Sequence, residues 1–386
     1  MNATLKGISL FTGAGGMDIG FKKAGIDVVF ANEINKDACN TYEVNHPNTP
    51  LYRGDIREAL EDLSKFEDID VLFGGPPCQG FSVAGKMDPN DERNDLVWTF
   101  LEAVKLIKPR AFVMENVKAL AKLEKWKDVR EKIYKLAHES GYSCEAYLLN
   151  SIDYGVPQKR ERVFFIGFLN ENVSREQFNM RLEEKKKIAK SVRETIAPLG
   201  PAGTDLNPLT CTAKVTLALN PIIRKSPYAG MLFNGMGRPL DLERASNTLP
   251  ASMGGNKTPI VDEELLHGNA TDNWMEEYHK NVIEKRIVPE YKEAPSRLRR
   301  LTTKEAALLQ TFPKDYDFKG SKTAIYKQIG NAVPCLLAEV IASAVIEQLN
   351  GSSINKEEPR QLTLDDLMDT HQSVVIDIKD GLMDIY

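Results

Sequence analysis

The stretch that most restricts the fold of this chain is the apolar run Ile69-Asp70-Val71-Leu72-Phe73, which breaks into Gly74-Gly75-Pro76-Pro77-Cys78. The run reads as a buried strand. Gly74-Gly75 let the backbone turn where a Cβ would clash, and Pro76-Pro77 fix φ and stiffen the approach to the thiol. Cys78 is thereby expected at a strand's carboxyl end, where open α/β sheets form their ligand crevices. A cysteine there is a nucleophile if its pKa is lowered and otherwise a small packed residue. Chemistry at Cys78 therefore has to be argued from the rest of the chain.

Upstream, Ile8-Ser9-Leu10-Phe11 followed by Thr12-Gly13-Ala14-Gly15-Gly16 is a strand, a glycine-rich turn and a helix start, the opening of a nucleotide-binding α/β unit. Asp18 stands where the third glycine of a dinucleotide fingerprint would be, which argues against a pyrophosphate clamp. A second strand, Val28 to Ala31, ends in Asn32-Glu33, about 20 residues past the first glycine, the spacing at which a carboxylate meets ribose hydroxyls. A glycine turn and a ribose acid without a phosphate clamp suit a nucleoside cofactor, and S-adenosylmethionine (SAM) has ribose and adenine but no phosphate. Asp55, after a third extended segment, is a candidate for the adenine amino group.

Downstream, the polar stretch Ser82 to Asp95 has no periodicity and reads as a lid. Leu96 to Ile107 reads as an amphipathic helix and Arg110 to Met114 as a strand ending in Glu115-Asn116-Val117. Glu115 would sit beside Cys78 if the two strands are neighbours. After a helix from Trp126 to Ser140, Arg160 and Arg162 enter the strand Val163 to Phe168 at i and i+2, hence on one face.

From Asn170 the character changes. A charged segment with Lys185-Lys186-Lys187 precedes irregular, Pro- and Gly-rich sequence to about Glu293, expected to be a small separate domain of short strands and loops. Thr302 with Glu305 is a capping box. Gln328 to Pro334 opens an apolar helix through Ile346, which must return to the first domain's core. The tail from Gly351 carries mostly Asp and Glu among its charges, so the net charge of −5 hides a face that can remain basic. No apolar run approaches the ~20 residues that span a bilayer, and there is no room for a signal peptide before the first strand. Cys39, Cys78, Cys144, Cys211 and Cys335 form no CxxC pair, which points to a reducing cytoplasm without disulfides or a structural metal.

Taken in order, Phe11 to Gly16, Glu33, Asp55, Gly75-Pro76-Pro77-Cys78-Gln79-Gly80-Phe81-Ser82, Glu115-Asn116-Val117, Gln158 to Arg162, Arg299 to Pro313 and Gln328 to Pro334 resemble the DNA (cytosine-5)-methyltransferases. The resemblance runs from Ile8 to about Pro334. It implies an α/β fold, a SAM-dependent methyltransferase Rossmann-like sheet with an inserted small target-recognition domain. The divisions expected are 1–170 for the first part of the SAM domain, 171–295 for the insertion, 296–348 for the return and 349–386 for an acidic tail.

The resemblance also implies chemistry. Carbon 5 of cytosine is a poor nucleophile, and addition of the Cys78 thiolate at carbon 6 would activate it. Glu115 would neutralise N3 and accept from the exocyclic amine, Arg162 would hold O2, and Arg160 would support the site. The base must be flipped out of the duplex first. Phe11, Gly13, Gly15, Glu33, Asp55, Pro76, Leu96, Asn331 and Val333 would line the SAM pocket; Gln79, Ser82, Thr248 and Arg299 would serve double-stranded DNA, Arg299 as a brace for the recognition domain. No metal is implied. The expected setting is a monomer acting on DNA in a prokaryotic cytoplasm, within a restriction-modification system. A tRNA cytosine-5 methyltransferase, a non-catalytic DNA-binding relative and an NAD-dependent oxidoreductase are the alternatives. The long insertion and Gln79 to Ser82 weigh against the first, intact Cys78, Glu115 and Arg162 against the second, and the missing third glycine against the last.

Overall fold

The alternating apolar runs and turns become strands and helices in the order expected. β1 (Leu5–Leu10) leads through the glycine-rich turn into α1 (Gly16–Ala24), followed by β2 (Ile26–Glu33), α2 (Lys36–Asn45) and β3 (Leu51–Arg53). After the short α3 (Leu60–Leu63) come β4 (Val71–Gly74), α4 (Asp95–Ile107), β5 (Ala111–Val117), α5 (Lys118–Lys122), α6 (Lys127–Glu139) and two long strands, β6 (Tyr142–Asn150) and β7 (Glu161–Leu169). The computed structural model describes residues 4–77 and 95–351.

These strands form one seven-stranded sheet in the order β3-β2-β1-β4-β5-β7-β6. β1 to β5 are parallel, and β7 runs antiparallel to both β5 and β6. The chain builds outward from β1 on one side and from β4 on the other, so the order switches between them, and the crevice of such a sheet opens at the carboxyl ends of those strands. Side chains alternate across a strand. Val71 and Phe73 accordingly enter one core with Phe21 and Val113, whereas Leu72 enters the opposite core with Phe100, Phe112 and Trp126.

Where β4 ends, β1 leaves no room for a side chain. Gly74 pairs with Leu10, and a Cβ built on Gly74 would stand 2.1 Å from the Leu10 carbonyl oxygen. Gly74→Ala must push β1 and β4 apart, and a loss of about 1–3 kcal/mol or more is expected from such overpacking. A urea titration checks this, and an unchanged midpoint would refute it.

Past β7, α7 (Arg175–Glu183) and α8 (Val192–Ile196) precede two small antiparallel ladders. The first pairs β8 (Leu217–Ile222) with β9 (Met231–Phe233), and the second pairs β10 (Ile260–Asp262) with β11 (Leu298–Arg300); α9 (Glu263–Leu266) and α10 (Trp274–Ile283) lie between β10 and β11 in the chain. Phe178 and Leu182 of α7 join the sheet's first core, so α7 packs with the sheet although it lies past residue 171. Leu217, Phe233, Ile260, Met275 and Tyr278 make a core of their own.

The return is made by α11 (Thr303–Leu309), α12 (Lys322–Asn331) and α13 (Cys335–Gly351). The expected capping box is present, with the Thr302 hydroxyl on the Glu305 amide and the Glu305 carboxylate on the Thr302 amide. The stretch expected to open one helix at Gln328 instead ends α12, with Ala332 extended, and α13 begins only at Cys335. Pro334 explains the break, since the residue before a proline is driven out of the helical region and proline itself is suited to a helix start. By length and composition alone the span Lys322–Gly351, which takes in both helices, is apolar enough to cross a membrane, where the sequence reading expected no such run, but 67% of its most apolar part is buried inside the fold. It is a core element here: Leu337, Ile341 and Val345 pack against the sheet.

The described residues up to Asn350 belong to one unit. The short helix expected at Leu362 to Met368 and the acidic tail lie outside the described residues.

Candidate active site

The turn after β1 occupies the switch point. Phe11, Gly13 and Gly15 all have positive φ, at 56°, 57° and 78°. A bulky residue is uncommon in that region and is held there only by its surroundings. The Thr12 amide donates to the Asn32 carbonyl at 2.9 Å, and the Gly13 amide to Glu33 Oε2 at 2.8 Å. Glu33 Oε1 accepts from the amides of Ile34 and Asn35 at 3.0 and 2.7 Å. The geometry thus joins Gly13 to Glu33. Burial pushes the Glu33 carboxyl above its ordinary range, against the pull of those three amides.

Asp18 receives a function the sequence did not assign to it. It is fully buried and accepts from Ser9 at 3.0 Å, from Tyr42 at 2.8 Å and from Thr12. A carboxylate in the first turn of α1 meets the helix's positive end from within the protein. Behind it, His46 stacks on Tyr42 and reaches Tyr316 at 3.1 Å, and Tyr316 donates to the Ala14 carbonyl. Burial pulls His46 down to about 4, with Lys22 adding to the effect and Asp18 opposing it. The imidazole is therefore neutral at physiological pH. The turn is fixed, and the partly buried Glu33 beside it suits a nucleoside cofactor without phosphates.

The remaining cofactor candidates divide. A Cβ built on Gly16 would stand 2.7 Å from the Val333 carbonyl, so Val333 lies against the glycine turn. Pro76 follows β4, and its carbonyl is held by Asn116 at 3.4 Å. Leu96 sits in the first turn of α4 and Asn331 is exposed at the end of α12. Asp55 instead engages Arg57, which keeps its carboxyl below the ordinary range.

Glu115 lies at the carboxyl end of β5, and β5 is paired with β4, which meets the condition for placing it beside the Pro-Pro-Cys turn. A Cβ on Gly75 would stand 2.9 Å from Glu115 Oε2. Arg162 reaches Glu115 from β7 with Nε 2.8 Å from Oε1, and the two side chains are only 17% and 13% exposed. Val117 pairs with Arg162 in the antiparallel ladder, which explains how residues 47 positions apart meet. Cys78, Gln79 and Ser82 lie outside the described residues.

Burial raises the Glu115 carboxyl above its ordinary value of 4.5, while Arg162 and then Arg160 pull it back. A carboxyl with a raised folded pKa contributes stability at low pH and loses it as pH rises through that pKa. Removing the guanidinium in Arg162→Met should raise the pKa further. The stability deficit of the variant should then be small at about pH 4 and grow toward about pH 8, by about 1.4 kcal/mol for each further tenfold tightening of proton binding at Glu115. Melting curves across that range test it, and a pH-independent deficit would refute it.

Arg160 and Arg162 do not address one point. The Arg160 guanidinium is 2% exposed and donates to the carbonyls of Gly330 at 2.8 Å and of Leu249 and Asn331 at 3.4 Å. It clamps backbone from two distant segments, and its charge reaches Glu115 without a contact. Thr248 is exposed, its hydroxyl on the Lys159 carbonyl at 2.6 Å. Arg299 donates to Glu263 at 2.6 Å and to both oxygens of Glu305 at 2.8 and 2.6 Å. The N–H groups of the Arg299 guanidinium are thereby engaged on two carboxylates within the protein. Gln158 and Gln310, both fully buried, carry further hydrogen bonds through this region. Among the described residues no group of three His, Cys, Asp or Glu side chains is placed to hold a metal.

The family model for C-5 cytosine-specific DNA methylase matches residues 5–347. The Type II methyltransferase M.FnuDI of Fusobacterium nucleatum is 35% identical over 376 residues, covering 94% of this chain and 100% of the relative. M.PspPI, a Type II methyltransferase of Psychrobacter sp., is 36% identical over 355 residues, covering 89% and 80%. Among solved structures, the Dnmt2 methyltransferase of S. pombe aligns with a TM-score of 0.61 at 17% identity, covering 90% of this chain and 99% of the other. The Entamoeba histolytica methyltransferase EhMeth aligns at 0.60 and 15%, with the same coverage. The last two similarities show the fold alone.

Proposed function

Since the chain belongs to the C-5 cytosine-specific DNA methylase family, we propose that this DNA methyltransferase modifies carbon 5 of one cytosine within a specific double-stranded sequence, as the protective enzyme of a restriction-modification system. The observation that carries the reading is the Glu115–Arg162 pair against Gly75, at the strand ends from which the chain runs directly on to Cys78. SAM, when bound, supplies an electrophilic methyl group. Phe11, Gly13, Gly15, Glu33 and Val333 would hold it, with Pro76, Leu96 and Asn331 around them; Asp55 would have to give up Arg57 to join.

Cys78 adds to carbon 6 of the flipped cytosine, which makes carbon 5 nucleophilic, and leaves by elimination once the carbon 5 proton is removed. Glu115, its carboxyl kept above the ordinary range by burial, supplies or shares the proton at N3 as charge builds there. Arg162 meets the charge at O2, and Arg160 keeps the backbone around the site in place. Residues 171–295, apart from α7, serve target recognition, between residues 1–170 and 296–348 of the SAM domain, and the sequence past α13 is acidic. Thr248, Gln79 and Ser82 face the DNA. The enzyme works as a monomer in a prokaryotic cytoplasm and without a metal.

Incubation with tritium-labelled SAM and, in parallel, duplex DNA or bulk tRNA tests this. Label in DNA, with bisulfite sequencing that places it at one sequence, is expected; label in tRNA alone would overturn the reading.

A further inference from the structure

We infer that Gln158 and Gln310 are positioning residues that couple DNA binding to cofactor binding, an inference that rests on the function proposed above. Both side chains are 0% exposed. Gln310 follows Leu309 and bonds the Ile329 carbonyl, and Leu249, Leu309, Phe312 and Ile329 share one apolar core, a setting in which an apolar residue would avoid the cost of burying an amide. The amides are instead linked in one direction. The Leu249 amide donates to Gln158 Oε1 at 3.0 Å, Gln158 Nε2 donates to Gln310 Oε1 at 3.1 Å, and Gln310 Nε2 donates to the carbonyls of Ile329 at 2.7 Å and Ala332 at 3.3 Å.

The two ends fix the orientation of both amides. A backbone N–H at one end can only donate and two backbone carbonyls at the other can only accept, so turning either amide over sets donor against donor and acceptor against acceptor. A satisfied buried chain of this kind specifies one arrangement of the segments it joins. Those segments are functionally distinct. Leu249 follows Thr248 at the surface of the insertion, while Ile329 and Ala332 bracket Asn331 and lead to Val333 against the glycine turn. Arg160, two residues beyond Gln158, clamps the same Leu249 to Gly330 and Asn331. DNA that seats the Thr248 segment thereby seats the cofactor segment through the amide pair, and reciprocity requires the cofactor to favour DNA by the same factor.

The test uses the full-length protein, S-adenosylhomocysteine as a non-reacting cofactor, and a duplex bearing the sequence found by bisulfite sequencing. Cofactor affinity is measured by titration calorimetry with and without the duplex. In the wild type a gain of about tenfold is expected on adding DNA. In Gln158→Met and Gln310→Met, which keep side-chain length but remove the amide, the gain should fall to about twofold or less, with the double variant no worse than either single one. An undiminished gain in these variants overturns the inference alone, even if they are less stable. A wild type that binds cofactor and DNA independently also overturns it, and one that binds neither overturns the functional reading with it.

Discussion

Cys78→Ala should abolish methyl transfer, with a rate loss on the order of 10⁴–10⁶, the scale seen when a covalent nucleophile is removed. Affinity for duplex DNA and for the cofactor should change by less than about threefold, because a thiol that acts only after the base is flipped contributes to the transition state and not to ground-state binding. Glu115→Gln provides the contrast. It keeps the size of the side chain and a hydrogen bond to the base but cannot supply a proton, so a loss of about 10²–10⁴ is expected. The setting supports this order of effects. Glu115 is nearly buried, is kept above its ordinary pKa by that burial, and is restrained by one guanidinium. Single-turnover transfer of labelled methyl to DNA, with binding measured in parallel, reads both variants. A Cys78→Ala enzyme within about tenfold of wild type would end the covalent mechanism.

The largest effect on stability is expected from Arg299→Met. Arg299 bridges Glu263 of α9 and Glu305 of α11, and the Glu305 side chain is 0% exposed. Glu305 also accepts from Asn207 at 2.9 Å and from the Thr302 amide at 2.9 Å, so it cannot swing out to water without breaking the cap of α11. Removing the guanidinium leaves a carboxylate buried without its counter-charge, at an expected cost of about 3–5 kcal/mol. Arg299→Met combined with Glu305→Gln should recover part of that loss, since the stranded charge is then gone. Urea unfolding followed by fluorescence compares the three proteins. If the double variant is the least stable, the ion pair is not what holds this junction, and the loss belongs to packing.

Much of the frame is legible in the chain. The alternation of apolar runs with glycine turns predicts β1, β2, β4, β5 and β7, because a strand buried on both faces has to be apolar along its length. Thr302 and Glu305 predict the start of α11, because a capping box is satisfied within four residues. The apolar pattern misplaces the start of α13, since it continues through Ala332 to Pro334 whereas the backbone at proline does not. Composition changes at Asn170, and it does not show that Phe178 and Leu182 of α7 fill the sheet's core.

The order of the candidate groups is already written in the chain: Cys78 after Pro-Pro, Glu115 at the end of a strand, Arg160 and Arg162 at its antiparallel neighbour, and Glu33 about 20 residues past the first glycine. Local backbone chemistry suffices for that, since strands, caps and turns depend on residues a few positions apart. The partner of each side chain, in contrast, follows only from the closed fold. It gives Arg162 to Glu115 and Arg160 to three backbone carbonyls, although the two arginines stand only two positions apart, Arg160 just before β7 and Arg162 within it. It turns Arg299 inward to Glu263 and Glu305, and it joins Gln158 to Gln310 across 152 positions. A buried polar group must be satisfied by whatever the fold brings beside it, and residues so far apart in the chain become neighbours only when sheet, insertion and returning helices have closed around a common core.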